Sequence, residues 1–206
     1  MEEVSFLVGK IENYIAYLEE VKSLTPQKIV IDSNFFLNGI DDSKYDKKKS
    51  QREKENLDAH KNKPILYWIT FENQLCNKED LYNCYKETAC NNSQKSFQKG
   101  YDIYREEGLK HRRVFSATKT KTKEEFLTNT LYVGKVEKNI WGRLAVHSGW
   151  GSSPKTAGLQ LHYWYDFETY GNLGFNYIVL DERLKYFVEV LEKEMRDKLK
   201  PLIGKK

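Results

Sequence analysis

Leu131-Tyr132-Val133-Gly134-Lys135, followed by Asn139-Ile140-Trp141-Gly142-Arg143 and then His147, is the stretch on which the fold turns. Its first five residues form an apolar β-type run closed by a glycine. Arg143 lies 11 residues after Tyr132, and His147 lies four after Arg143. A four-residue step on a helix keeps two side chains on one face, one turn apart. A strand followed by a short helix thus offers a phenol, a guanidinium and an imidazole to a single anionic group.

Further elements flank this stretch on both sides. Pro64–Thr70 is a buried-type strand begun by proline, and Phe175–Leu180 is another. Lys28–Asp32 is a short strand, with Asp32 turning the chain after it. Residues 3–24 form an amphipathic helix with Val4, Leu7, Ile11, Tyr14, Leu18 and Val21 in one narrow a/d stripe. That stripe suits either packing on its own domain or a homodimer through the N-terminal helix. Residues 75–110 read as mostly helical, with a break at 91–93. Glu182–Lys200 reads as one helix stopped by Pro201. The fold class is therefore α+β: a small antiparallel or mixed sheet flanked by helices, with an N-terminal helical extension.

Residues 41–63 are almost devoid of apolar side chains and read as a solvated helix or linker. They set the expected division. Residues 1–63 hold the N-terminal helix, a short strand and the charged linker, and 64–206 form the main domain, with 71–129 inserted.

The 206 residues carry a formal charge of +4, unevenly placed. Residues 1–63 have 11 Lys/Arg against 12 Asp/Glu, and 64–206 have 23 against 18. The most basic stretch holds Lys110, Arg112, Arg113, Lys119, Lys121 and Lys123 with no acid among them, the pattern of a phosphate-contacting segment. Arg113–Thr118 inside it offers a further strand. Cys76, Cys84 and Cys90 fit neither a zinc hook nor a paired disulfide framework, and the histidines form no zinc pattern. No apolar run reaches the ~18–20 residues of a membrane span. The opening Met-Glu-Glu does not read as a signal peptide, so a cytoplasmic location is expected.

Together these segments resemble the GIY-YIG nuclease family over about 64–204. Ile65-Leu66-Tyr67-Trp68-Ile69-Thr70 resembles the family's Gly-Ile-Tyr strand, and Tyr132-Val133-Gly134-Lys135 its Tyr-Ile-Gly strand. Asn139–Leu144 followed by His147 is similar to the helix that carries the family's arginine. Glu192, nine residues before Pro201, matches its metal-binding glutamate. The chain departs from the pattern in separating the two tyrosines by 65 residues and in placing Gly204 where an asparagine is common.

The resemblance implies a metal-dependent endonuclease acting on DNA, of a restriction or defence type, with one Mg2+ or Mn2+ per site. A non-catalytic nucleic-acid-binding module on the same fold is the alternative. It further implies that Arg143 grips phosphate and Glu192 holds the cation. One of Tyr67 and Tyr132 activates water while the other orients, and Lys135 or His147 serves as a shuttle or phosphate contact. These types suit the reaction, because phosphodiester hydrolysis needs an aligned nucleophile and positive charge on the nonbridging oxygens.

Overall fold

The computed structural model of the 206-residue chain describes residues 2–33, 35, 47–77, 80–81, 127–148, 158–159, 161 and 164–204. The architecture is α+β. Helix α1 (Glu2–Val21) leads to strand β1 (Gln27–Ile31), helix α2 (Lys47–Asp58) and strand β2 (Ile65–Phe71). Strand β3 (Thr130–Val136), helix α3 (Ile140–Ser148), the short helix α4 (Phe167–Tyr170) and strand β4 (Leu173–Val179) follow. A 3-10 turn at Glu182–Leu184 precedes helix α5 (Val188–Leu199).

The four strands form one sheet in the order β1-β4-β2-β3, antiparallel throughout. Strands β2 and β3 are direct neighbours despite the residues between them, with Tyr67 opposite Gly134 and Ile69 opposite Tyr132. Their ladder continues past the strands: Phe71 N–H donates to the Asn129 carbonyl, and Cys76 bridges Thr128. The inserted chain thus leaves and returns as adjacent antiparallel segments, which is how two distant tyrosine strands come to pair. The further strand expected at Arg113–Thr118 lies outside the described residues.

Alternation sends successive strand residues to opposite faces. Ile65, Tyr67, Ile69 and Phe71 join Phe175, Tyr177, Ile29 and Ile31 in the main core, which α3 closes with Ile140 and Leu144. Leu66 turns to the other face, where Leu180, Leu184 and Val188 pack with Tyr17, Leu18 and Val21 of α1. Outside β3, Leu202 and Ile203 donate to the carbonyls of Thr130 and Leu131, which covers the start of that edge of the sheet.

The two sides of residue 63 share one sheet, because β1 is hydrogen-bonded to β4 along its whole length. Of the charged run, residues 47–58 form α2, the helical one of the two expected forms, whose fully buried Leu57 anchors it in the main core and which packs against α3. One expectation changes. The terminal helix begins at Val188 rather than Glu182, because Asp181 caps a separate 3-10 turn by accepting from Arg183 N–H. The apolar stripe runs through both pieces, which hides the break from periodicity.

Among the described residues, no helix is long and apolar enough to cross a membrane.

Candidate active site

Two strands and one helix bring the site together. Tyr67 on β2 and Tyr132 on β3 point to the same face of the sheet, with ring centroids 6.1 Å apart. Gly134 makes this possible. A Cβ there would lie 2.5 Å from the Tyr67 hydroxyl oxygen and 2.6 Å from the Tyr132 ring, so only glycine leaves room for the phenols. Helix α3 starts beside them. Asn139 caps it: its Oδ1 accepts from Gly142 N–H at 2.9 Å, and its backbone takes φ 61, which asparagine tolerates better than most residues. Its own N–H donates to the Lys61 carbonyl just beyond α2, at 2.7 Å, which fixes where α3 begins.

From that start, Arg143 and His147 face the phenols one turn apart. Arg143 Nε–H donates to Tyr67 Oη at 2.9 Å, and Nη2 reaches Tyr132 Oη at 3.5 Å. Burial works against the guanidinium charge, but Tyr67 and Tyr132 more than offset it and hold its pKa above the usual value. His147 is fully buried, with Nε2 2.7 Å from Tyr67 Oη. Its other nitrogen, Nδ1, accepts from the backbone N–H of Leu159 at 3.1 Å.

That last bond determines the proton arrangement. An imidazole nitrogen that accepts from an N–H carries no proton, so in neutral His147 the proton sits on Nε2. His147 is neutral: burial, then the nearby Arg143 charge, holds its pKa well below the usual histidine range. Nε2–H therefore donates to Tyr67. The Tyr67 oxygen accepts from both Arg143 and His147, and its own proton goes to neither. Burial and the charges of Tyr132 and Glu192 push the Tyr67 phenol well above 10, against the opposing pull of Arg143, so it stays protonated.

Glu192, buried on α5 at 8% exposure, acts on Tyr67 through its negative charge. Lys135 does not join the phenols. Strand alternation sends it to the opposite face, and Glu189 and Glu137 hold its ammonium at 3.6 and 4.0 Å. His147 does not reach a phosphate, since both its nitrogens are engaged inside the protein. Lys110, Arg112, Arg113, Lys119, Lys121 and Lys123 lie outside the described residues.

Two contributors have no side-chain signature in the sequence. The Leu159 N–H sets the His147 tautomer. Gly158 lets that backbone approach α3, because a Cβ there would lie 2.3 Å from the Val146 carbonyl oxygen. A glycine before an apolar residue in a loop was the only available signal.

Among the described residues no three His, Cys, Asp or Glu side chains are grouped to hold a metal ion. The Glu192 carboxylate is a hard oxygen donor of the kind that a largely hydrated Mg2+ or Mn2+ takes.

Comparison with protein-family models, with curated proteins and with solved structures gives no significant match.

Proposed function

We propose that this chain is a metal-dependent endonuclease that hydrolyses DNA phosphodiester bonds, in a restriction-type or defence role that would place it in the cytoplasm. One observation carries the reading: a half-buried guanidinium bonded to two tyrosines from paired strands, with a buried glutamate acting on the same site. Arg143 spends Nε–H on Tyr67 and directs Nη2 at Tyr132, which leaves N–H groups of the fork for a phosphate. Glu192 would hold the Mg2+ or Mn2+, which when bound polarises the phosphate and the leaving oxygen.

The two tyrosines take different roles. Tyr67 has no exposed surface and orients Arg143. Tyr132 is only partly buried, so its phenol is the one that meets the attacking water. Water attack forms one P–O bond, breaks the P–O bond to a deoxyribose oxygen and moves one proton to the base. The leaving oxygen takes its proton from solvent.

A plasmid-nicking assay with Mg2+ or Mn2+ tests the reading. Wild type should nick, and Glu192→Gln, Arg143→Lys and Tyr132→Phe should each lose about 100-fold or more in rate, the scale set by removing one transition-state contact. Equal nicking by all four proteins would overturn it. The burial of both Tyr67 and His147 favours a second reading, a non-catalytic nucleic-acid-binding module, because it removes two titratable groups from contact with any solute. Salt-sensitive DNA binding without cleavage by any form would select it.

A further inference from the structure

Helix α1 is divided along its length. Its C-terminal half packs on the domain: Tyr14 meets Phe187 with centroids 4.9 Å apart, Arg183 lies 3.8 Å over the Tyr17 ring, and Leu18 and Val21 join the second core cluster. Its N-terminal half carries Val4, Phe6, Leu7, Val8, Ile11 and Ile15 at 47–65% exposure. Phe6 lies to the other side, beside Lys10, but the remaining five share one exposed face, and a short helical segment with such a face in water is marginal on its own, so this face calls for a partner.

We propose that this face pairs with the same face of a second copy of the chain, antiparallel about a two-fold axis between Val8 and Ile11. The spacing supports this occupant. Val4, Val8, Ile11 and Ile15 are separated by four, three and four residues, a pattern that reads the same in both directions. A two-fold pairing therefore sets Val4 against the partner's Ile15 and Val8 against the partner's Ile11, as an isologous interface requires. All four are β-branched and stiff at χ1, so little side-chain freedom is lost on contact.

Charge argues against other occupants. Residues 2–13 hold Glu2, Glu3 and Glu12 against Lys10 alone, and Lys10 lies over the Phe6 ring at 5.5 Å. An acidic helix does not suit an anionic membrane, where interfacial helices carry lysine and arginine on the polar face, or a nucleic acid. The exposed apolar area of Val4, Leu7, Val8, Ile11 and Ile15 is roughly 450 Å² per copy, about 900 Å² in total, the size of a weak, reversible contact. The inference does not depend on the nuclease reading, and its readout is mass rather than activity.

The test is sedimentation velocity of the full chain from about 1 to 100 µM, a range that brackets a micromolar dissociation constant. Wild type should shift from monomer to dimer. Val8→Glu and Ile11→Lys, both at exposed positions, should remain folded by circular dichroism and weaken association by about 100-fold or more, since each buries a charge in the contact. Mixed together, these two variants should form a heterodimer, because only the antiparallel register sets Glu at 8 against Lys at 11 of the other chain. Three results would each overturn the proposal: wild type monomeric at the highest concentration, with or without binding to phosphatidylglycerol vesicles; a dimer unaffected by Val8→Glu; or no rescue on mixing.

Discussion

The Tyr67 oxygen is the point on which the residue-scale chemistry depends, and it is sensitive to changes around it. Removing it in Tyr67→Phe leaves His147 Nε2–H and Arg143 Nε–H without their acceptor in a buried place. Each orphaned donor costs about 1–3 kcal/mol, so the urea midpoint should fall clearly although the ring shape is kept. His147 adds a pH dependence whose sign follows from its neutrality. Its pKa is depressed in the folded chain by burial and then by Arg143, and returns to about 6.5 on unfolding. Below about 6.5 the unfolded chain binds a proton that the folded chain refuses. Stability therefore rises with pH up to that value, by as much as about 1.4 kcal/mol per pH unit, and levels off above it. His60, depressed by its own burial and then by Lys63, adds in the same direction. His147→Gln, which keeps a donor toward Tyr67 and does not titrate, should flatten most of the slope in denaturation curves from pH 5 to 8. An unchanged slope would place the titration elsewhere. The residue types of this cluster are legible in the sequence, and the helical period puts Arg143 and His147 on one face. The proton arrangement is not legible, because the group that fixes it is the backbone N–H of Leu159, which every residue but proline possesses.

At the scale of elements, the strands follow from apolar runs and their stops, and Gly134 marks the close approach that lets two phenols share one face. What periodicity misses is α2. Its sequence is a run of charges in which one Leu57 carries the packing, and a single apolar residue has no period. Its position matters to the site, because α2 packs on α3 and the chain just beyond it receives the Asn139 N–H. Leu57→Ala should therefore cost about 2–5 kcal/mol, the range for a buried leucine truncation. The same change should loosen the start of α3 and reduce nicking by more than the loss of folded protein explains. Activity per folded molecule, compared with that of a surface control such as Lys185→Ala, separates the two effects. The pairing of β2 with β3 is also beyond spacing arguments, since hairpin logic looks for short connections. Here the ladder continues outward through Cys76 and Thr128 into the inserted chain, so the strand pair is closed by a long excursion instead of a turn.

At the scale of the whole molecule, the N-terminal region divides into a part the sheet needs and a part it does not. The composition break at 41–63 suggests a boundary there, but hydrogen bonds override composition. Strand β1 pairs with β4 from Gln27 to Ile31, and Ile29 and Ile31 are buried in the main core. Without β1, β4 would become an edge strand with a row of unpaired backbone groups, and the core would lose two large apolar side chains. The C-terminal half of α1 covers Leu66, Leu180, Leu184 and Val188, so its loss would expose the second cluster. Val4, Phe6, Leu7, Val8 and Ile11, by contrast, stay exposed and take almost nothing from the domain. Two truncations separate these contributions. Deleting residues 1–11 should leave the free energy of unfolding in urea within about 0.5 kcal/mol of wild type, as surface changes do, when measured below the concentration at which chains associate. Deleting residues 1–31 should leave no cooperative transition, because the losses approach the ~5–15 kcal/mol total stability of a domain. A folded, cooperative product from the longer deletion would mean that three strands and the α3 layer suffice, and that the boundary lies at the charged segment after all.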